Sequence, residues 1–416
     1  MVPARPGNTM AAEPRLSSAR VPSFDGLRGL AVLAVVCFHT LRITPNHSWW
    51  TSVWAAIQES SWIGVDLFFV LSGFLITGIL LDSRESPHYF VNFYARRTLR
   101  IFPLYYAVLA VSLLIVPAAI GLTRLPMMYS RLLERQVWLW AYMANYLQAR
   151  EPHTLPGFGH FWSLAVEEQF YLAWPLVVYL TSRRKLLAIC ATICAFLPIL
   201  RLVMLLHGSS TWALRQYTFT RIDTLLFGAI AAIALRDARV RSRLSTLIPY
   251  IAFAAVIALG AFGYPYGFLP FEGPTMVVAG YSVLGILFAA VMFAIATGAA
   301  GRRLPGLLCT APARWFGKYS YAIYIFHWPV AQGVRAVADR FPFFRAPQAA
   351  PVACYFVIVL ATTSAAAWIS WHCFESRFLR LKRYFEQEGP RSVPPPAEIE
   401  QRFATAPRTN YSPAAP

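Results

Sequence analysis

Apolar runs long enough to cross a bilayer recur along nearly the whole chain, and this repetition constrains the fold more than any other feature. They fall at about residues 26–43, 62–81, 101–122, 161–180, 186–206, 220–235, 247–262, 276–296, 315–334 and 352–371. Hydrocarbon offers no partner to a backbone N–H or C=O, so such runs must close their hydrogen bonds internally as helices. The expected architecture is an all-α membrane protein, a polytopic bundle of about ten transmembrane helices. With 57% hydrophobic and 13% charged residues among 416, the chain has no room for a large soluble domain. A further aromatic stretch, 137–147, is too short to span and reads as interfacial or re-entrant.

The net charge of +18 would suggest a nucleic-acid partner in a soluble chain, but in this one it follows the membrane. With both termini cytoplasmic, the inner segments carry 26 of the 37 Lys and Arg, leaving 11 for outer loops and helix interiors. An eleventh span at 137–147 would put Arg183, Arg184 and Lys185 outside, against the positive-inside rule. No nucleic-acid partner is expected. The six cysteines form no CxxC pair, so neither a disulfide framework nor a zinc site is indicated, and Cys190 and Cys194 read as small packing residues. The first run leads into Leu41-Arg42-Ile43-Thr44-Pro45 without a small-residue cleavage site, and is read as an uncleaved first helix. The expected division is a cytoplasmic tail at 1–20, a transmembrane domain at 21–380 and a Pro-rich, disordered cytoplasmic tail at 381–416.

The functional question is posed by polar residues inside these runs. Arg28 and His39 are eleven residues apart, close to three helical turns, so they share a face about 16 Å apart along the axis. Asp66, Glu167, Glu168 and His327 reach a similar depth from three other helices. Each has a plain reading as a helix-to-helix hydrogen bond, and His327, followed by Trp328-Pro329, as the brace of a kink. An ionisable group in hydrocarbon is nonetheless costly, and this favours a functional reading, above all for His39. Arg97 and Arg100 share a face and could grip phosphates, though topology alone accounts for cations there. A phosphate loop, an HExxH zinc motif and a GxSxG elbow are all missing from the sequence.

Five motifs then coincide in order: Arg28 with His39; Gly-Val-Asp-Leu-Phe-Phe-Val-Leu-Ser-Gly-Phe-Leu-Ile from Gly64; Arg-Arg-x-x-Arg-Ile-x-Pro-x-Tyr from Arg96; Phe-Trp-Ser-Leu-x-Val-Glu-Glu-Gln-Phe-Tyr from Phe161; and Ser-Tyr-x-x-Tyr-x-x-His-x-Pro from Ser320. Together they resemble the integral-membrane acyltransferase-3 family, bacterial O-acetylases of polysaccharides and related glycosylated molecules. The resemblance implies a multi-pass protein of the bacterial plasma (inner) membrane. It would move an acyl group, usually acetyl, from cytoplasmic acyl-CoA to a hydroxyl of a sugar or glycosylated acceptor, possibly lipid-linked, without a metal. Arg28 and His39 take the family's essential positions, and Arg97 and Arg100 its CoA-facing pair, which reverses the topological weighting of those arginines. His39 would act as general base or transient acyl acceptor, with Asp66 or Glu167 orienting its ring. Members with an appended extracytoplasmic domain exist, and this chain reads as a single-domain form. The alternative class is a transporter or flippase for a polar lipid-linked glycan or metabolite, since intramembrane His, Asp and Glu also mark proton pathways.

Overall fold

The computed structural model describes residues 22–41, 49–121, 127–345 and 349–385, so the expectations for tails 1–20 and 381–416 lie outside the described residues except at Leu381–Phe385, which form a 3-10 helix in place of the expected disordered tail. All ten apolar runs fall on helices: α1 (Pro22–Thr40), α2 (Ile63–Asp82), α3 (Tyr89–Ala110), α4 (Phe161–Leu180), α5 (Arg183–Leu206), α6 (Ile222–Ala234), α7 (Ala238–Gly263), α8 (Tyr281–Thr297), α9 (Ala311–Ala338) and α10 (Ala349–Ser370). Among the described residues there is no strand. The protein is a polytopic all-α membrane protein.

Among the described residues, seven helical stretches are long and apolar enough to cross a membrane. The three helices outside that number are α4, α6 and α9. Helix α4 carries Glu167 and Glu168, α9 carries Lys318 and His327, and α6 is only 13 residues long. Protein covers them where lipid would otherwise demand length and apolarity: ten of the α6 residues are buried. The stretch 137–147 does not form one rod. It splits into the short helices Val137–Trp140 and Ala144–Arg150, with Tyr142 between them in the left-handed region at φ 53°.

Helices α1 and α9 pack backbone to backbone through glycine. A Cβ on Gly29 would strike the Ala313 carbonyl, and one on Gly317 would strike the Asp25 carbonyl. Helices α2 and α6 pack the same way, Gly73 against the Leu225 carbonyl and Gly228 against that of Val70. Small residues at such crossings let backbones approach and supply the dispersion contacts that hold helices together where no hydrophobic effect operates. Gly317→Ala is accordingly expected to lower stability by about 1–3 kcal/mol through overpacking. A thermal midpoint in detergent equal to that of the parent protein would refute the close crossing.

Helices α1, α2, α4 and α9 surround a polar interior. Five of the ten helices contain an internal proline, including Pro175 in α4 and Pro329 in α9. All six cysteines are free, with Cys190 and Cys194 buried in the packing of α5.

Candidate active site

Three cavities lie end to end inside the bundle. The first is a basic mouth lined by Arg28, Arg100, Arg314, Lys318 and Lys382, with Asp25 and Glu375 among them. The second, a middle cavity with about 730 Å³ of empty space, is lined by Arg28, Arg97, Arg100, Ser72, Glu167 and Glu168. Arg28, Arg100 and Tyr321 line both, so the two adjoin. The third is much smaller and is lined by His39, His160, Trp162 and Arg215. Val65 and Tyr324 face both the second and the third cavity and form the wall between them.

Local structure explains these placements. Arg97 and Arg100 stand one turn apart on α3, and the Arg97 guanidinium lies over the rings of Phe93 at 5.9 Å and Tyr171 at 5.4 Å. Arg28 keeps Asp25 as an i,i+3 partner at 3.0 Å. Glu167 accepts a hydrogen bond from the Ser72 hydroxyl at 2.7 Å. At the wall, the Tyr324 and Ser163 hydroxyls lie 2.5 Å apart and both reach the His160 carbonyl, Tyr324 at 3.0 Å and Ser163 at 3.2 Å, so one of them donates to that carbonyl and the other to its neighbouring hydroxyl.

Three imidazoles meet beyond that wall. His39 Nδ1 lies 2.9 Å from the Val35 carbonyl and His327 Nδ1 lies 2.6 Å from that of Tyr324. A carbonyl oxygen only accepts, so each Nδ1 carries the proton of its ring. A neutral His327 then offers Nε2 as an acceptor to His39 Nδ1 at 3.3 Å. The consequence falls on His39: both of its contacts hold the Nδ1 tautomer and leave Nε2 with a free lone pair. That nitrogen is the one suited to accept a proton or attack an acyl carbon. His160 donates from Nε2 to the Ile325 carbonyl at 3.3 Å, and its ring centroid is 4.7 Å from that of His327. Among the described residues, no cluster of three or more His, Cys, Asp and Glu is placed to hold a metal ion.

The expectation that four helices present their ionisable groups to one layer is corrected by this geometry. Glu167 and Glu168 belong to the middle cavity with the arginines, and only His39 and His327 meet across the wall. Asp66 goes elsewhere: it is fully buried and forms an ion pair with Arg221 at 2.5 Å. Neither carboxylate hydrogen-bonds His39, whose Nδ1 is already engaged by Val35 and His327. Sequence reasoning also passed over His160, Arg215 and Arg221. The arginines carried a signal, because Arg215 precedes the sixth apolar run and Arg221 stands at its start, on the side that the positive-inside rule leaves poor in cations. Ser163 and Tyr324 lie within quoted motifs, but nothing in the spacing says that they touch.

A polytopic helical membrane protein whose cations, carboxylates and histidines line adjoining internal cavities is thus defined by fold and site. The acyltransferase-3 family, described as an acyltransferase domain, matches residues 21–372, and the chain belongs to that family. It is 32% identical over 340 residues to the peptidoglycan O-acetyltransferase OatA of Listeria monocytogenes, covering 76% of this chain and 50% of that protein. It is 28% identical to the O-acetyltransferase OatA of Staphylococcus aureus over 380 residues, covering 88% of this chain and 58% of the relative. The chain therefore spans between half and three fifths of the length of these relatives. No solved structure matches it significantly.

Proposed function

We propose that this protein transfers an acyl group, acetyl in the first instance, from acyl-CoA at its basic mouth to a hydroxyl of a cell-envelope sugar or glycosylated acceptor on the opposite side of the bacterial plasma membrane. The observation that carries the reading is the chain of cavities: a cationic mouth and middle cavity at one end, and a histidine with a free Nε2 at the other, separated by a wall of Val65 and Tyr324. Phosphates of the donor match Arg28, Arg97 and Arg100, which offer guanidinium donors in two adjoining spaces. The pantetheine arm extends from there toward the wall, bringing the thioester to His39. His39 Nε2 removes the proton of the attacking hydroxyl, or takes the acyl group itself before passing it on. Both termini lie on the cytoplasmic side in this reading, and residues 21–380 form the acyltransferase unit. The name of the Listeria relative, a peptidoglycan O-acetyltransferase, supports a cell-wall polysaccharide as the acceptor class.

The test is reconstitution in liposomes with acyl-labelled acyl-CoA and a soluble sugar acceptor. Label on the acceptor is the expected result. Proton-driven uptake of the sugar without acyl-CoA would assign the protein to transport instead. Arg97→Gln and Arg100→Gln are each expected to weaken acyl-CoA binding by about ten- to a hundredfold, the worth of a charge-assisted hydrogen bond. Calorimetric titration with acyl-CoA checks this, and an unchanged affinity in both variants would remove the pair from the donor site.

A further inference from the structure

Three arginines are buried on the side of the wall away from the mouth, and two of them hold a carboxylate. Arg201 pairs with Asp223 at 2.9 Å and Arg221 with Asp66 at 2.5 Å. Arg215 is only 9% exposed, yet among the described residues it has neither an ion pair nor a hydrogen bond. Aromatic rings surround it: its guanidinium carbon lies 4.9 Å from the Trp162 ring centroid, 5.6 Å from that of Trp212 and 5.1 Å from that of Phe271. Such faces offset part of the desolvation of a cation, but they supply no acceptor. The carboxylates of Glu272 and Asp66 act on it from beyond ion-pair distance, and arginine does not relieve burial by shedding its proton, so among the described residues the guanidinium has no anion in direct contact. The charge lines the same cavity as His39.

We infer that Arg215 is a catalytic residue that stabilises the oxyanion formed at the acyl carbonyl, an assignment that rests on the acyl-transfer reading above. The attacking oxygen bonds the acyl carbon while its proton passes to His39 Nε2. The carbonyl π pair moves onto the carbonyl oxygen, and that negative charge is the anion Arg215 lacks. As the pair returns, the carbon–sulfur bond breaks and the thiolate recovers the proton from the imidazolium. The same oxyanion forms twice if His39 carries the acyl group, so the role does not depend on that choice. The size of the space favours this over a site for a charged substituent of the acceptor. The space is much smaller than the middle cavity, and it suits a reacting centre more than a whole sugar with its substituents. A guanidinium already held among aromatic rings needs little reorganisation when the charge develops.

The experiment uses the full chain in liposomes with acetyl-CoA and a sugar acceptor, comparing the parent with Arg215→Gln, Arg215→Lys and Arg215→Ala. Expected for Arg215→Gln is a fall in turnover of about 10²–10³, with the KM of both substrates within about twofold, as for loss of one oxyanion donor. Arg215→Lys retains part of the rate, and guanidinium ion added to Arg215→Ala restores part of it. Neither rescue follows from a merely structural role. Donor binding equal to the parent's certifies the fold of each variant, and if Arg215→Gln fails that check the Arg215→Lys rate and the guanidinium rescue decide. Parent-like turnover in Arg215→Gln overturns the inference, as does a raised acceptor KM at unchanged turnover, which would assign Arg215 to an acidic group on the acceptor. Absence of transfer by the parent protein itself would instead refute the proposed function.

Discussion

His39→Ala is expected to lower acyl transfer by about 10²–10⁴, the range for removal of a positioned general base. The fold should survive, because His39 is half-exposed and its ring is held by the Val35 carbonyl and His327 rather than by an ion pair. Mass spectrometry of envelope glycans from cells carrying the parent or the variant reads the result as loss of one acyl mass. His39→Gln refines it, since glutamine keeps a hydrogen-bonding side chain yet cannot take a proton at neutral pH. If His39 carries the acyl group, the parent protein incubated with donor alone gains one acyl mass. If it acts as a base, no such adduct accumulates. A variant that acylates at the parent rate would remove His39 from the chemistry altogether.

The second large effect concerns stability. Asp66→Ala leaves Arg221 buried without its carboxylate, in a pocket where the Tyr281 ring centroid is 3.6 Å from the guanidinium carbon. Breaking a buried pair by removing one partner costs about 3–5 kcal/mol, whereas replacing both by apolar residues is often neutral. Asp66→Leu combined with Arg221→Met should therefore regain most of the thermal midpoint that Asp66→Ala loses. Activity in the double variant then separates two roles. Turnover near that of the parent would confine Asp66 to holding α2 against the Arg221 segment, and a stable but inactive protein would return it to the reaction.

The elements were legible in the sequence because hydrocarbon permits so few solutions. Every apolar run became a helix, and the residue spacing put Arg28 and His39 on one face of α1. What spacing along single helices does not encode is which face meets which neighbour. Asp66 and Glu167 have similar sequence depth, yet Asp66 turns to Arg221 and Glu167 to Ser72. Those choices are set by helix rotation, and rotation follows from contacts between distant segments such as Gly73 on Leu225. The Tyr324–Ser163 contact joins residues 161 positions apart, and its place at the wall between cavities exists only after packing.

The paired glycine crossings have a mechanical meaning beyond close packing. With α1 seated on α9 and α2 on α6 at backbone contact, neither pair can slide or roll without colliding carbonyls. His39 and His327 ride on the first pair, and Val65 and Ser72 belong to a helix of the second. The walls of the passage are thus two stiff ribs, and a rocking cycle that opens first one side and then the other would have to break them. Such a frame is suited to standing still while a cargo moves: under the proposed function the acyl group would cross on the donor's flexible arm, and the barrier would need to yield only at side chains such as Tyr324. The molecule would then work as a fixed conduit with a side-chain shutter.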